Sequence, residues 1–209
     1  MRPAFYPLNE FPRLAELAAQ WPLMHQELLA LQAPVLDIDR TDKPHEQIHH
    51  EVTAHLQQGG RYGWLKGWGE AGGNRDWVQY PLVFRDQALA PARAALPQTL
   101  ALLDAVRGLK VAALARLAPH AWLSTHRHPE VGEEGLLQMH LTLEAACERN
   151  YAYLNVAGEF HQHHCGAAAI FDGSQDHFVV NASDAPRSIL YLEFQQARLH
   201  RVPANPANA

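Results

Sequence analysis

A chain of 209 residues, 47% hydrophobic and 19% charged, is long enough to bury one sizeable core and too apolar to be a disordered tail protein. Its formal net charge of -5, from 22 acidic and 17 basic residues with no long run of either sign, argues against a phosphate-backbone binder, so nucleic acid is not an expected partner. Two cysteines, Cys147 and Cys165, exclude a disulfide framework, and no stretch approaches the roughly 18 uninterrupted apolar residues of a membrane span. With no apolar signal region at its start, the chain is expected to be cytoplasmic, with no membrane partner. Histidine stands out at 14 of 209 residues, and it is the commonest metal ligand and the usual acid-base side chain near neutral pH.

In chain order, apolar positions from Phe11 to Leu29 at three-and-four spacing predict one amphipathic helix over residues 10 to 31. Pro44 suits a first turn, so residues 44 to 57 read as a second helix, stopped by Gly59 and Gly60. The segment from Arg61 to Arg75 holds Trp64, Trp68 and five glycines and reads as a loop or lid around short strands. Residues 86 to 107 are rich in Ala and Leu, with a helix from Leu100 to Val106 that ends at Gly108. From Leu109 onward the period changes. Short runs over Val111–Leu117, Leu136–Leu143, Tyr151–Val156, Ala167–Phe171, Phe178–Asn181 and Ser188–Phe194, separated by turn residues, predict an antiparallel sandwich or jelly roll. The expected organisation is one domain in three parts: helices and loops over 1–108 packed on a β core over 109–197, and a disordered tail over 198–209.

Three constellations carry chemistry. His45-Glu46-Gln47-Ile48-His49 is a literal H-E-x-x-H on a predicted helix, the spacing that sets two zinc ligands one turn apart with a general-base Glu between them. The charged and polar neighbours of that helix suggest instead a solvated surface element. His126 and His128 are two apart and project on one face if the strand continues, where a histidine from the distant Asp176-His177 pair would complete a facial metal site; otherwise they are strand-end histidines. The alternation supports the site. Gln138, His140 and Thr142 share one strand face against Leu137, Met139, Leu141 and Leu143, and Arg187 shares a face with Ile189, Tyr191 and Glu193 against an apolar series. A polar interior face is costly unless it binds a ligand, and an arginine there needs an anion, most simply a ligand carboxylate. His161-Gln162-His163-His164-Cys165 resembles a metal cluster but reads as a hairpin with outward side chains.

The series Pro119-His120, His126, Met139-His140-Leu141, Gly166, Phe171-Asp172, His177, Asn181 and Arg187 resembles the catalytic domain of the aspartyl/asparaginyl beta-hydroxylase family over about residues 97 to 195, with FDGSQDHFVVNASDAPR as its specific block. The resemblance implies a mainly β fold with flanking helices, a cupin-like double-stranded β-helix, and an iron(II) and 2-oxoglutarate dependent oxygenase that hydroxylates an amino acid, free, peptidyl or carrier-bound. It implies that His126 and His177 ligate the iron, that Arg187 holds the distal carboxylate of 2-oxoglutarate, that His140 assists in binding this cosubstrate, and that Asp172 braces the loop carrying His177. Two positions depart from the pattern. Gln138 stands where many relatives carry an arginine, which removes one positive charge from the cosubstrate pocket. His128 stands where relatives resembling free-proline hydroxylases carry Asp and peptide-hydroxylating members carry Gly, which leaves open a three-histidine site, a two-histidine site completed by water, or a protein that has lost turnover. Trp64, Trp68, Asn74, Arg75 and Trp77 form a segment able to close over a small substrate, with core packing as the alternative role of the tryptophans. Two other classes remain: a non-catalytic barrel that binds a metal or a carboxylate, and a zinc peptidase working through His45, Glu46 and His49.

Overall fold

The computed structural model describes residues 3–69 and 73–199. The chain begins with β1 (Phe5–Tyr6), α1 (Pro12–Ala19), α2 (Trp21–Ala30), β2 (Val35–Asp39), α3 (His45–Gln57), β3 (Trp64–Gly67), β4 (Asn74–Phe84) and β5 (Gln87–Ala88). It continues through α4 (Ala90–Ala95), α5 (Pro97–Asp104), β6 (Leu109–Leu117), β7 (Ala121–His126), α6 (Pro129–Glu133) and β8 (Leu136–Glu144). The last elements are β9 (Ala152–Val156), β10 (Glu159–Gln162), β11 (Ala168–Phe171), β12 (His177–Asn181), β13 (Arg187–Gln195) and α7 (Gln196–Leu199).

Two sheets face each other in a jelly roll. The larger runs β1-β11-β8-β13-β6-β4-β3-β2, with β5 on β4, and the smaller runs β10-β9-β12-β7. Every pairing is antiparallel except β2 on β3. The expected double-stranded β-helix is the fold present. Alternation then sorts each central strand. On β8 and β13 one series, Leu137, Met139, Leu141, Leu143, Leu190, Leu192 and Phe194, packs in a single core with Phe11, Leu14, Met24, Leu28 and Leu100 of the helical layer. The opposite face looks toward the smaller sheet, where Trp77, Leu117 and Phe171 meet Leu123, Leu154, Val156 and Val179. Covered on both faces, β13 is buried at every residue from Arg187 to Phe194.

Three differences from the sequence expectation have local causes. The single helix over 10–31 is two helices parted at Gln20, because Pro22 has no N–H to give and its ring clashes with the carbonyl four residues back. The segment over 61–75 holds the short strands expected there, but they extend the larger sheet rather than form a separate lid. Its ends are β3 and the start of β4, and both lie inside the larger sheet, so the boundary expected at residue 108 divides that sheet between two parts of the chain. Pro81 hides β4 in the sequence, since proline cannot donate to a ladder; the chain accommodates it at a register shift between Pro81 and Val83. Of the tail expected over 198–209, Arg198 and Leu199 end α7 and the remainder lies outside the described residues. Among the described residues no helix is long and apolar enough to cross a membrane.

Glycine is required at Gly166, where φ is +82° and a Cβ would lie 2.5 Å from the Trp21 indole nitrogen. The turn from β9 to β10 places Ala157 and Gly158 both at positive φ, the conformation that suits the twist of a two-residue hairpin.

Phe194 is fully buried, with its ring edge-on to Phe11 at 5.6 Å. Phe194→Ala should cost about 3–5 kcal/mol in urea unfolding. Removing the exposed Arg93–Asp104 pair through Arg93→Ala should cost under about 1 kcal/mol, and the reverse order would contradict this account of the core.

Candidate metal centre

His126 ends β7 and His177 begins β12, directly opposite each other in the ladder, with ring centroids 4.2 Å apart. The Nδ1–H of His126 donates to the Ser124 carbonyl at 2.7 Å, and that of His177 to the Gln175 carbonyl at 2.8 Å. Each ring is thereby held in the tautomer that presents Nε2 as a lone-pair donor. His128 reaches them by a different route from the one strand alternation suggests. The strand stops at His126, and His128 precedes α6, where its N–H donates to the Gly173 carbonyl at 2.8 Å. Its ring still lies 5.2 Å from His126 and 5.4 Å from His177, and its Nδ1 lies 3.3 Å from a Glu130 carboxylate oxygen. The ligand atoms of the three histidines all lie within 4.8 Å of one another. Asp172, buried in the turn before His177, accepts bonds from the Ser174 N–H at 3.0 Å and hydroxyl at 2.6 Å, and so stiffens that turn.

Burial leaves the His126 and His177 rings neutral near pH 7. It lowers His126 to about 4 against the opposing Ser124 hydrogen bond. It lowers His177 to about 3, with His126 acting in the same direction. His140 and His163 are held well below the usual range, first by burial and then by the charge of Arg187. Neutral imidazole is the form that binds metal, so the donor set fits a divalent ion held on one face.

The histidines open into an inner chamber of about 60 Å³ lined also by Trp77, Leu123, Gln138, His140, Arg187 and Tyr191. Arg187 is 1% exposed, its Nε–H has no acceptor, and among the described residues no carboxylate lies in ion-pair reach of it. Burial brings its guanidinium down to about 9. An anion in the chamber would restore what burial removes. His140, with an unpartnered Nδ1, stands edge-on to Phe171 at 5.0 Å in the same chamber. Gln138 is buried, and its amide donates to the Tyr191 hydroxyl at 2.8 Å and to Glu193 at 3.3 Å. Outside lies a cleft of about 1030 Å³ that shares Arg40, His45, Trp68, Leu123, His126 and His128 with the chamber.

Over residues 18–197 the sequence matches the family model of the aspartyl/asparaginyl beta-hydroxylases. The chain belongs to this family. The match begins well before residue 97, where the sequence resemblance starts, so α2, α3 and β2 to β5 lie within the matched region. No curated protein matches the chain significantly. Among solved structures it is similar to TT1209 from Thermus thermophilus, with 24% identity, 41% of this chain and 71% of that one covered, and a TM-score of 0.33. It is also similar to the Cupin_2 domain of an XRE family transcriptional regulator from Enterobacter cloacae, at 19% identity over 57% and 97% with a TM-score of 0.39. A predicted oxalate decarboxylase from Thermotoga maritima aligns at 13% identity over 57% and 80% with a TM-score of 0.38.

In this family member the structure brings His126, His128, His177, Gln138, His140 and Arg187 into one chamber and corrects three expectations. Trp64 is not part of a lid: at 4% exposure it packs on Tyr80 in the core, under the Arg116 guanidinium. Arg75 is exposed and lines neither cavity, whereas Trp68 does face the site, with its ring 4.8 Å from His126. The H-E-x-x-H histidines do not converge. His45 Nε2 bonds Glu193 at 3.2 Å, and His49 stacks on Phe84 at 4.6 Å, because Ile48 and Val52 turn the apolar side of α3 inward. The third correction is the 161–164 run, which is not an outward hairpin turn, since the turn lies at 157–158. His163 is fully buried and bonds the Thr142 hydroxyl at 2.9 Å, and only His164 is exposed. Sequence reasoning missed Arg40 and the Glu193–His45 contact, for which no local pattern gives a signal.

Histidine protonates near pH 6.5 in an unfolded chain, but these four buried rings do so only at lower pH in the folded one. The unfolded state therefore binds more protons as pH falls below about 6.5, and stability is lost progressively toward pH 4. The urea midpoint of the metal-free protein should be lower at about pH 5 than at about pH 7.5; an equal or higher midpoint at the acid value would contradict the burial of these rings.

Proposed function

We propose that the protein is an Fe(II)- and 2-oxoglutarate-dependent dioxygenase that hydroxylates an amino acid, free, peptidyl or carrier-bound, in the cytoplasm. The observation that carries this reading is the convergence of three histidines on a chamber that also buries an unpaired arginine. His126 and His177 would hold the ion, with His128 as third ligand or as partner to a bound water; its contact with Glu130 is the carboxylate support common behind metal-binding imidazoles. With 2-oxoglutarate and O2, an iron held there would supply oxidative decarboxylation to succinate and CO2 and the oxidising equivalent for C–H hydroxylation.

The chain's own residues do the positioning. Arg187 binds the distal carboxylate of the cosubstrate at the chamber floor, and His140 offers its free nitrogen beside it. Leu123, Val179, Ile189 and Trp77 line the same space and keep water from it. Trp68 stands where chamber and cleft join, so the substrate enters from the cleft past its ring. The family supports hydroxylation, and the cosubstrate is the inference drawn from Arg187.

Iron-loaded protein incubated with 2-oxoglutarate and a panel of amino acids should form succinate. Metal binding without succinate would favour a non-catalytic carboxylate-binding barrel. His126→Ala combined with His177→Ala should abolish metal binding near neutral pH, while His45→Ala with His49→Ala should leave it intact; the opposite pattern would move the site to α3.

Arg187→Ala removes one member of a desolvated charge pair, a loss of about 2–5 kcal/mol, so cosubstrate affinity should fall roughly 30-fold or more. Equal affinities in anaerobic titrations of wild type and variant would exclude this role. His128→Ala should weaken metal binding, and unchanged metal affinity and turnover would make the centre a two-histidine one.

A further inference from the structure

Five cationic side chains, Lys or Arg, line the cleft and chamber among the described residues. Three are neutralised where they stand: Lys43 by Glu51 at 2.9 Å, Lys110 by Glu134 at 2.5 Å, and Arg127 by Asp176. The other two, Arg187 and Arg40, have no carboxylate in ion-pair reach among the described residues, and each buries an Nε–H that has no acceptor. They differ in position. Arg187 lines the inner chamber alone, whereas Arg40 lines both the chamber and the open cleft.

Arg40 follows β2 directly and is clamped from behind. Its Nη2 donates to His45 Nδ1 at 3.2 Å. The opposite ring nitrogen of His45 donates to Glu193 at 3.2 Å, and Glu193 also accepts bonds from the Tyr191 hydroxyl and the Gln138 amide. Burial would raise the Glu193 carboxyl, but its contacts with His45 and the Tyr191 hydroxyl hold it below the usual carboxylate range, so it stays charged behind the ring. One hydrogen bond thus fixes the guanidinium, and its Nε–H stays buried without an acceptor. A buried donor without an acceptor costs about 1–3 kcal/mol, which an anionic occupant of the site would recover.

Resting on the dioxygenase reading, we infer that Arg40 anchors a carboxylate of the molecule to be hydroxylated, a second anionic contact beyond the one Arg187 makes. The substrate is then an amino acid with a free carboxylate, bound at the junction of cleft and chamber beside the histidines. A neutral, amide-linked segment offers this guanidinium carbonyl acceptors but no opposite charge.

The test uses the full chain loaded with Mn(II), without oxygen and with saturating 2-oxoglutarate. It is titrated with L-amino acids and with their α-carboxamides, and followed by calorimetry and by tryptophan fluorescence. At least one free acid should bind, with its uncharged amide counterpart about tenfold weaker or more. For aspartate and glutamate the α-carboxamide keeps a side-chain carboxylate and so separates the two sources of the anion. Arg40→Gln should lose that discrimination, Arg40→Lys should keep part of it, and 2-oxoglutarate affinity should stay within about threefold in both. Equal binding of acid and amide, binding of no acid, or unchanged discrimination in Arg40→Gln overturns the assignment. A fall in 2-oxoglutarate affinity with amino-acid discrimination intact also overturns it, by giving Arg40 to the cosubstrate. The comparison of acid and amide on wild type needs no variant, so misfolding of Arg40→Gln does not shelter the proposal. Wild type that takes no 2-oxoglutarate defeats the dioxygenase reading instead, and acid against amide on the metal-loaded protein alone then still decides the role of Arg40.

Discussion

The ladder between β8 and β13 sets Tyr191 opposite His140 and Glu193 opposite Gln138, so the middle of the larger sheet turns a continuous polar face toward the smaller one. Such a face is expensive to bury, and the protein meets the cost unevenly. At one end Gln138, Tyr191, Glu193 and His45 bond one another. At the other, Arg187 and His140 keep unpartnered nitrogens. The same alternation drives Leu190, Leu192 and Phe194 into the helical layer, so stability and binding capacity are opposite faces of one strand. The helices that cover the outer face therefore serve the site indirectly, by keeping β13 buried along its length.

Electrostatics around the chamber follows from that burial. Desolvation keeps His126 and His177 uncharged at neutral pH, which suits lone-pair donation, and it weakens the protonated form of Arg187, which an anionic ligand would reverse. The histidines and the arginine thus contribute opposite needs to one small volume. A metal ion takes the neutral donors, and a carboxylate takes the guanidinium. The cations of the outer cleft are mostly cancelled by local carboxylates, so whatever binds there meets a mixed surface in which Arg40 is the unpaired positive group among the described residues.

Much of this was legible from residue order. The six strands expected after Leu109 agree with the structure within two residues, because alternating apolar runs bounded by Gly, Asn and Asp are a strong local signal, whereas β7 and β10 were not among them. His126, His177, Arg187 and His140 were also legible, the first two through spacing and the second two through the face they share with polar neighbours. Expectation failed where the local signal was silent or misleading. Pro81 concealed a central strand, the five glycines around Trp68 gave no sign that the short strands beside them join the larger sheet, and the 161–164 histidines gave no sign that His163 is fully buried and His161 half-buried beside it.

Sequence by itself determined the jelly roll, the helical cover and the polar inner face, since each rests on periodicity along a contiguous stretch. It also set the family, through a block of residues running from Phe171 to Arg187. Only the tertiary structure decided that His128 reaches the other two histidines from beyond the end of its strand, that the H-E-x-x-H pair is divided between Glu193 and Phe84, and that Arg40 stands at the junction of chamber and cleft. These facts depend on contacts between segments up to 148 residues apart in the chain, as His45 and Glu193 are, and no periodicity encodes such a contact. It arises when α3 docks its Ile48 and Val52 side against β2 and β3, which delivers His45, and Arg40 with it, to the sheet.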